Sequence, residues 1–199
     1  MQHLRPAIVL IVLFTLLTGI ALPLGFVGVA GIVAPYQAGG SILERDGKPI
    51  GSALIGQNWT QEKYLQGRQS ATTAPDPADA SKSVPAPYNA ANSGASNAGP
   101  TSKALIDRVT QDVAKMGAKP VPGDAVTTSA SGLDPHVSPE FAARQVPRIA
   151  AARNIPPAQV QSVIAAHTEG RLLGLIGEPR VHVLAVNLAL DGPGSSGAK

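Results

Sequence analysis

AIVLIVLFTLLTGIALPLGFVGVAGIVA, residues 7–34, decides how the rest of the chain is read. Between Arg5 and Glu44 no side chain carries a formal charge. A bilayer core of roughly 30 Å needs about 20 helical residues. The run is therefore long enough to span, with residues left over for tilt or an interfacial extension. Pro23 interrupts it, and membrane helices tolerate a proline where neighbouring groups satisfy the freed carbonyl. A cleaved signal peptide would carry a shorter apolar region of about 7–15 residues, although Gly28-Val29-Ala30 has the small-x-small form of a cleavage site. The stretch is read as a retained anchor. The positive end at Arg5 stays inside and the long C-terminal part is exported. Gly25, Gly28 and Gly31 recur at three-residue spacing, and Gly25 and Gly28 are candidates for close packing against a partner helix in the membrane.

The boundaries follow from the anchor. Residues 1–6 form a cytoplasmic N-terminus and 7–34 the transmembrane helix with its extension. Residues 35–191 form an extracytoplasmic α/β (α+β) domain with a small sheet, and 192–199 a disordered tail. Apolar residues make up 44% of the chain but crowd into the anchor, so the remainder is rather polar. Aromatics are only 4%, leaving Leu, Ile, Val and Ala to fill the core. The net charge is +3 without a dense basic block. Arg144, Arg148, Arg153, Arg171 and Arg180 are spaced out, as on a solvated helical face and unlike a nucleic-acid-binding patch. With no cysteine, disulfides, thiolate zinc sites and thiol catalysis are excluded.

Outward from the anchor, Asp46-Gly47 fits the tight turn of a hairpin flanked by Ile42–Glu44 and Ile50–Ile55. Residues 74–100 are rich in Pro, Ala, Ser, Asn and Gly, a composition that forms regular elements with difficulty; so long a loop is often functional. Leu105, Ile106, Val109, Val113 and Met116 predict a helix from about Ser102, stopped at Gly117. The run 125–130 suggests a short strand. Ser138-Pro139 is an N-cap signal opening a helix toward Arg153, with Pro147 able to kink or divide it. A further helix starts near Pro157 with Val160, Val163, Ile164 and His167 on one face. The run 181–190, apolar on both alternating faces, predicts a central strand covered on both sides.

No catalytic constellation emerges from the residues. Gly51–Asn58 has the glycine spacing of a phosphate-binding loop, but Gln57 and Asn58 stand where lysine and a hydroxyl residue are required. His167-Thr168-Glu169 is half of a zinc-hydrolase signature without its second ligand cluster. Ser129, Ser131, Asp134 and His136 crowd into one turn without a nucleophile elbow. Glu169 beside Arg171 and Glu178 beside Arg180 are expected as ion pairs fixing glycine-rich turns. A stand-alone, membrane-anchored periplasmic enzyme or ligand-binding domain would need a pocket around His167, Glu169 and Arg171.

Six stretches taken together resemble one family, the C subunit of the Kdp-type potassium-transporting P-type ATPase. They are ERDGKPIGSALIGQNWT (44–60), GRQSAT (67–72), YNAANSGASNAGP (88–100), VTTSASGLDPHVSPE (126–140), QVPRIAAARNIP (145–156) and HTEGRLLGLIGEPRVHVLAVNLAL (167–190). Gln69 and His182 depart locally from the family's usual proline and asparagine. The resemblance implies a non-catalytic subunit of the bacterial inner membrane, acting in assembly and as a catalytic chaperone for ATP use. Its implied partners are a channel-like potassium-translocating subunit, an ATP-hydrolysing subunit and a small single-helix subunit. No cofactor is expected on this chain itself. ATP would enter through the complex and potassium as the transported ion. The resemblance also implies nucleotide contact at Gln145, which conflicts with an exported domain because ATP is cytoplasmic. Interface residues are expected in the small polar loop, at Tyr88, Asn89, Ser93, Ser96 and Asn97. The alternative for these is hydrogen bonding to the domain's own turns.

Overall fold

The computed structural model describes residues 3–117 and 120–192. Of the tail expected over 192–199, all but Gly192 lies outside these residues. The chain divides into two compact units, one ending at Ile42 and the other beginning at Leu43.

The first unit is an apolar helical run from Leu4 to Val33, 30 residues. At 1.5 Å per residue it is about 45 Å long, enough to cross a membrane with several turns to spare. It is built as α1 (Leu4–Leu16), a π turn (Leu17–Ala21) and α2 (Leu22–Val33). The π turn answers the proline. Pro23 has no N–H, and its ring would collide with the carbonyl four residues earlier. The backbone widens instead, and Leu22 N–H reaches Leu17 O. The Thr18 hydroxyl, within the widened turn, donates back to Phe14 O in α1 at 2.7 Å. A short α3 (Pro35–Ala38) follows.

The second unit is α+β. β1 (Ile42–Arg45) and β2 (Lys48–Ser52) pair as the expected hairpin. Asp46 and Gly47 both take positive φ, 54° and 71°, as a two-residue primed turn requires. The second strand stops at Ser52, short of Ile55. The Pro/Ala/Ser-rich stretch contains a small antiparallel pair, β3 (Thr73–Pro75) with β4 (Ser83–Pro85). α4 (Lys103–Met116) is capped by Ser102, whose side chain accepts from Leu105 N–H. Val109, Val113 and Met116 pack on the main core while Ile106 stays exposed. The run 125–130 is not a strand. Ala125 and Val126 are buried in a helical turn, α5 (Gly123–Val126), and only Thr128 bridges Gln69.

α6 (Pro139–Arg153) begins where Ser138 Oγ accepts from Phe141 N–H at 3.0 Å, and it runs unbroken through Pro147. α7 (Pro157–Ala166) packs against it. The three-stranded sheet has order β5-β7-β6 (His136–Val137, Arg180–His182, Thr168–Glu169), all antiparallel.

The strand expected over 181–190 is corrected: it ends at His182, and Val183–Leu190 is the helix α8. A short apolar run has no periodicity to separate a covered strand from a helix buried all round. Here the helix lies between two apolar clusters. Val183 and Val186 join the main core with Leu65, Phe141, Ile149, Val160 and Val181, whereas Leu184 and Leu188, four apart, join a smaller one with Leu43. The His182 ring caps the helix start, accepting from Ala185 N–H at 3.2 Å.

Candidate functional site

Glu62–Gln66 crosses the domain without belonging to any sheet, so its backbone groups need partners elsewhere. Side chains from α6 and α8 supply them. Asn187, fully buried, accepts from Leu65 N–H at 2.7 Å and donates to Leu65 O at 2.9 Å. Gln145, 6% exposed, does the same for the next residue, accepting from Gln66 N–H at 2.9 Å and donating to Gln66 O at 3.0 Å. Each amide copies the donor–acceptor pair of a strand neighbour. Arg148 donates to Glu62 O and Tyr64 O, and also to Gln145 Oε1 at 2.7 Å. Arg153 donates to Lys63 O, Leu190 O and the Asp191 carboxylate. Arg144 reaches Met116 O and Pro120 O at 3.0 Å, placing a cation at the carbonyl end of α4. The arginines of α6 are thus backbone clamps, not the solvated face their spacing suggested. Burial works against the Asp191 carboxylate, but bonds from Arg153 and the Tyr64 hydroxyl outweigh it and hold its pKa below the usual value.

Arg68 continues the lacing. It pairs with Asp134 at 3.1 Å and donates to Thr128 O at 3.2 Å. On one side lies a cleft of about 490 Å³ whose lining includes Asp124, Asp134, His136, Glu178 and Arg180. Its charges are largely committed: both Asp124 oxygens accept from Ser138, Asp134 pairs with Arg68 and accepts from the His136 backbone N–H, and Glu178 and Arg180 pair with Arg171 and Glu169. Burial, then the nearby His182 and Arg180, lower the His136 pKa, so the ring is neutral at pH 7. On the other side a cleft of about 480 Å³ is lined by Asn58, Trp59, Gln66, Ser70 and Tyr88 among others.

Of the polar loop residues, Tyr88 and Asn89 turn inward and are half-buried, whereas Ser93, Ser96 and Asn97 stay exposed. Tyr88, at φ 60°, donates its hydroxyl to Arg68 O at 2.7 Å. Burial above all, with the Asp134 charge behind it, pushes that hydroxyl's pKa up to about 12. Asn89 donates to Thr73 O, and Ser93 to Ser131 O. Ser96 Oγ accepts from the Thr128 hydroxyl at 3.5 Å, and Asn97 sits at φ 50°. Ser129 and Ser131 tie the neighbouring turn through Gly132 N–H and Leu133 N–H. In α2, a side-chain carbon added at Gly25 or Gly28 would meet nothing within 4 Å, so that face is open.

His167, Glu169 and Arg171 do not converge. The His167 ring turns back to Val163 O at 2.9 Å. The ion pairs are exchanged relative to expectation: Glu169 pairs with Arg180 and Arg171 with Glu178, each at 2.7 Å. The register sets Glu169 opposite Arg180, so the cross-strand neighbour wins over the neighbour along the chain. Between the pairs, Leu172, Leu173, Leu175 and Ile176 form an apolar tip, with Leu173 and Leu175 84% and 83% exposed. Its signal in the sequence, four large aliphatics in a glycine-punctuated turn, was available but subordinate to the charged residues beside it. Among the described residues no cluster of three or more His, Cys, Asp or Glu could hold a metal.

Among the described residues, one long apolar helix followed by an α+β domain, laced by amides and guanidinium groups, defines a candidate membrane-anchored protein. A family model described as KdpC, K+-transporting ATPase, c chain, matches residues 4–192. A potassium-transporting ATPase KdpC subunit of Methylobacterium nodulans is 62% identical over 195 residues, covering 96% of this chain and 97% of the relative. Similarly named subunits of Bradyrhizobium diazoefficiens and Rhodopseudomonas palustris are 60% and 59% identical, with 96% of this chain covered in each case and 97% and 98% of the relatives. The chain belongs to the KdpC family.

Proposed function

We propose that this chain is the non-catalytic accessory subunit of an ATP-driven potassium uptake complex, held in the inner membrane by one helix with its domain outside. The observation that carries this reading is the family match across residues 4–192. Its partners are a channel-like potassium-translocating subunit, an ATP-hydrolysing subunit and a small single-helix subunit. The domain braces the outer mouth of the translocating subunit and aids assembly. Its effect on ATP use travels through the complex as a coupling between sites. What supports an indirect effect is the state of Gln145. Its amide would have to abandon Gln66 and Arg148 to meet a nucleotide, leaving partly buried groups unpaired.

Affinity purification of the tagged chain from potassium-starved cells in mild detergent tests the assignment. Co-elution of a large P-type ATPase subunit and a polytopic subunit, with potassium-stimulated ATP hydrolysis, is expected; elution as a lone stable species refutes it. Topology has its own test, since the chain lacks cysteine. A Lys82→Cys variant should react with a membrane-impermeant maleimide in intact spheroplasts, and labelling only after lysis reverses the orientation.

A further inference from the structure

The tip Leu172–Ile176 differs from the rest of the domain surface in three respects. Its four large aliphatic side chains are all exposed, by 64–84%. They offer roughly 500 Å² of apolar surface, the size at which exposed patches mark interaction sites. That is more than half of the ~800 Å² per partner in a standard interface. Second, the turn is closed by hydrogen bonds of its own backbone. Leu172 N–H donates to Ile176 O at 2.8 Å, Gly174 N–H to Arg171 O at 3.1 Å, and Leu175 N–H and Ile176 N–H to Leu172 O at 3.1 and 3.0 Å. Such a turn holds its shape from within, without a partner to fold against. Third, Arg171–Glu178 and Arg180–Glu169 form a collar at its base in which two positive and two negative charges cancel.

We infer that residues 172–176 are a preformed apolar knob that inserts into an apolar pocket on another subunit of the transport complex. This rests on the accessory-subunit reading above and gives it a docking element. The collar and the backbone favour a protein pocket over a lipid surface. Anionic lipid attracts an excess of Lys and Arg, but the collar is internally neutral; interfacial anchors are rich in Trp and Tyr, and the tip has neither. Leu173 is held at φ 53°, ahead of Gly174 at φ 73°. A leucine rarely adopts that conformation. A fluid lipid surface places no demand on such a fixed shape, whereas a pocket does. An apolar centre within a paired polar rim is also the anatomy of a protein–protein contact.

The test uses the full chain, tagged and expressed with its complex. A photo-crosslinking amino acid at position 173 should give an adduct with a partner subunit. An adduct with lipid, with a second copy of this chain, or with nothing overturns the inference. In parallel, the Leu173→Ser/Leu175→Ser double variant should reach the membrane at wild-type level, keep the wild-type tryptic pattern, and recover at least tenfold less partner. Recovery equal to wild type also overturns it. Failure of the wild-type chain itself to co-purify with any ATPase subunit would instead remove the accessory-subunit reading, and this inference with it.

Discussion

Two irregular stretches of the same domain are held in opposite ways. Glu62–Gln66 is drawn against the core by borrowed partners: Asn187, Gln145, Arg148 and Arg153 reach it across separations of some 80 to 120 residues. Leu172–Ile176 uses only its own backbone and exposes its side chains. The first stretch is cheap to describe locally and costly to disturb; the second is the reverse. Stability resides where non-local hydrogen bonds are buried, and the surface available to another molecule lies where they are not needed.

The largest effect should come from Asn187→Ala, which strips partners from both the N–H and the C=O of Leu65. At about 1–3 kcal/mol for each buried group left unsatisfied, a loss of about 3–5 kcal/mol is expected. Urea unfolding of the detergent-solubilised chain, followed by the single tryptophan, Trp59, measures it. A loss under about 1 kcal/mol would mean that water replaces the amide and that the lacing does not stabilise the fold. Gln145→Ala should cost less, about 2–3 kcal/mol, because Gln66 is only partly buried and water can re-satisfy some of what is lost. Potassium-stimulated ATP hydrolysis by complexes that do assemble should keep its ATP dependence. A raised KM for ATP without loss of stability would favour direct nucleotide contact.

Smaller still is a pH effect at the sheet. The pKa of His136 is lowered in the folded state, so the unfolded chain binds a proton more readily. Stability is therefore full above about pH 6.5, the unfolded value, and declines as the pH falls toward the folded one. Unfolding between pH 7.5 and 5 should show this slope, and His136→Gln should flatten it. The smallest change is expected for Leu173→Ser/Leu175→Ser, within about 0.5 kcal/mol of wild type, as for exposed positions without buried partners. A large destabilisation there would abolish the contrast between the two stretches.

Local signals were legible wherever the determinant lies within a few residues. Ser102 and Ser138 cap their helices, Asp46-Gly47 makes its turn, and Pro23 falls in a membrane-length run that widens to accept it. Pro147 marked a possible break in α6 that does not occur, because the helix is fixed on both sides by packing and by its clamp residues. The polar loop was legible as a special segment. That Tyr88, Asn89 and Ser93 bond within the domain could not be read, since their partners at Arg68, Thr73 and Ser131 lie 16 to 38 residues away.

The sequence by itself determined the apolar helix, most helix boundaries, the first hairpin and, through six ordered motifs, the family. Each depends on short-range periodicity, on capping chemistry, or on a series of residues specific enough to need no coordinates. Only the tertiary structure decided that 183–190 is a helix, that the ion pairs of the 169–180 turn are exchanged, and that two buried amides take the place of a strand. The physical reason is common to all three. An apolar run, a charge or an amide has several acceptable partners of equal chemistry, and the one it takes depends on what packing brings within 3 Å.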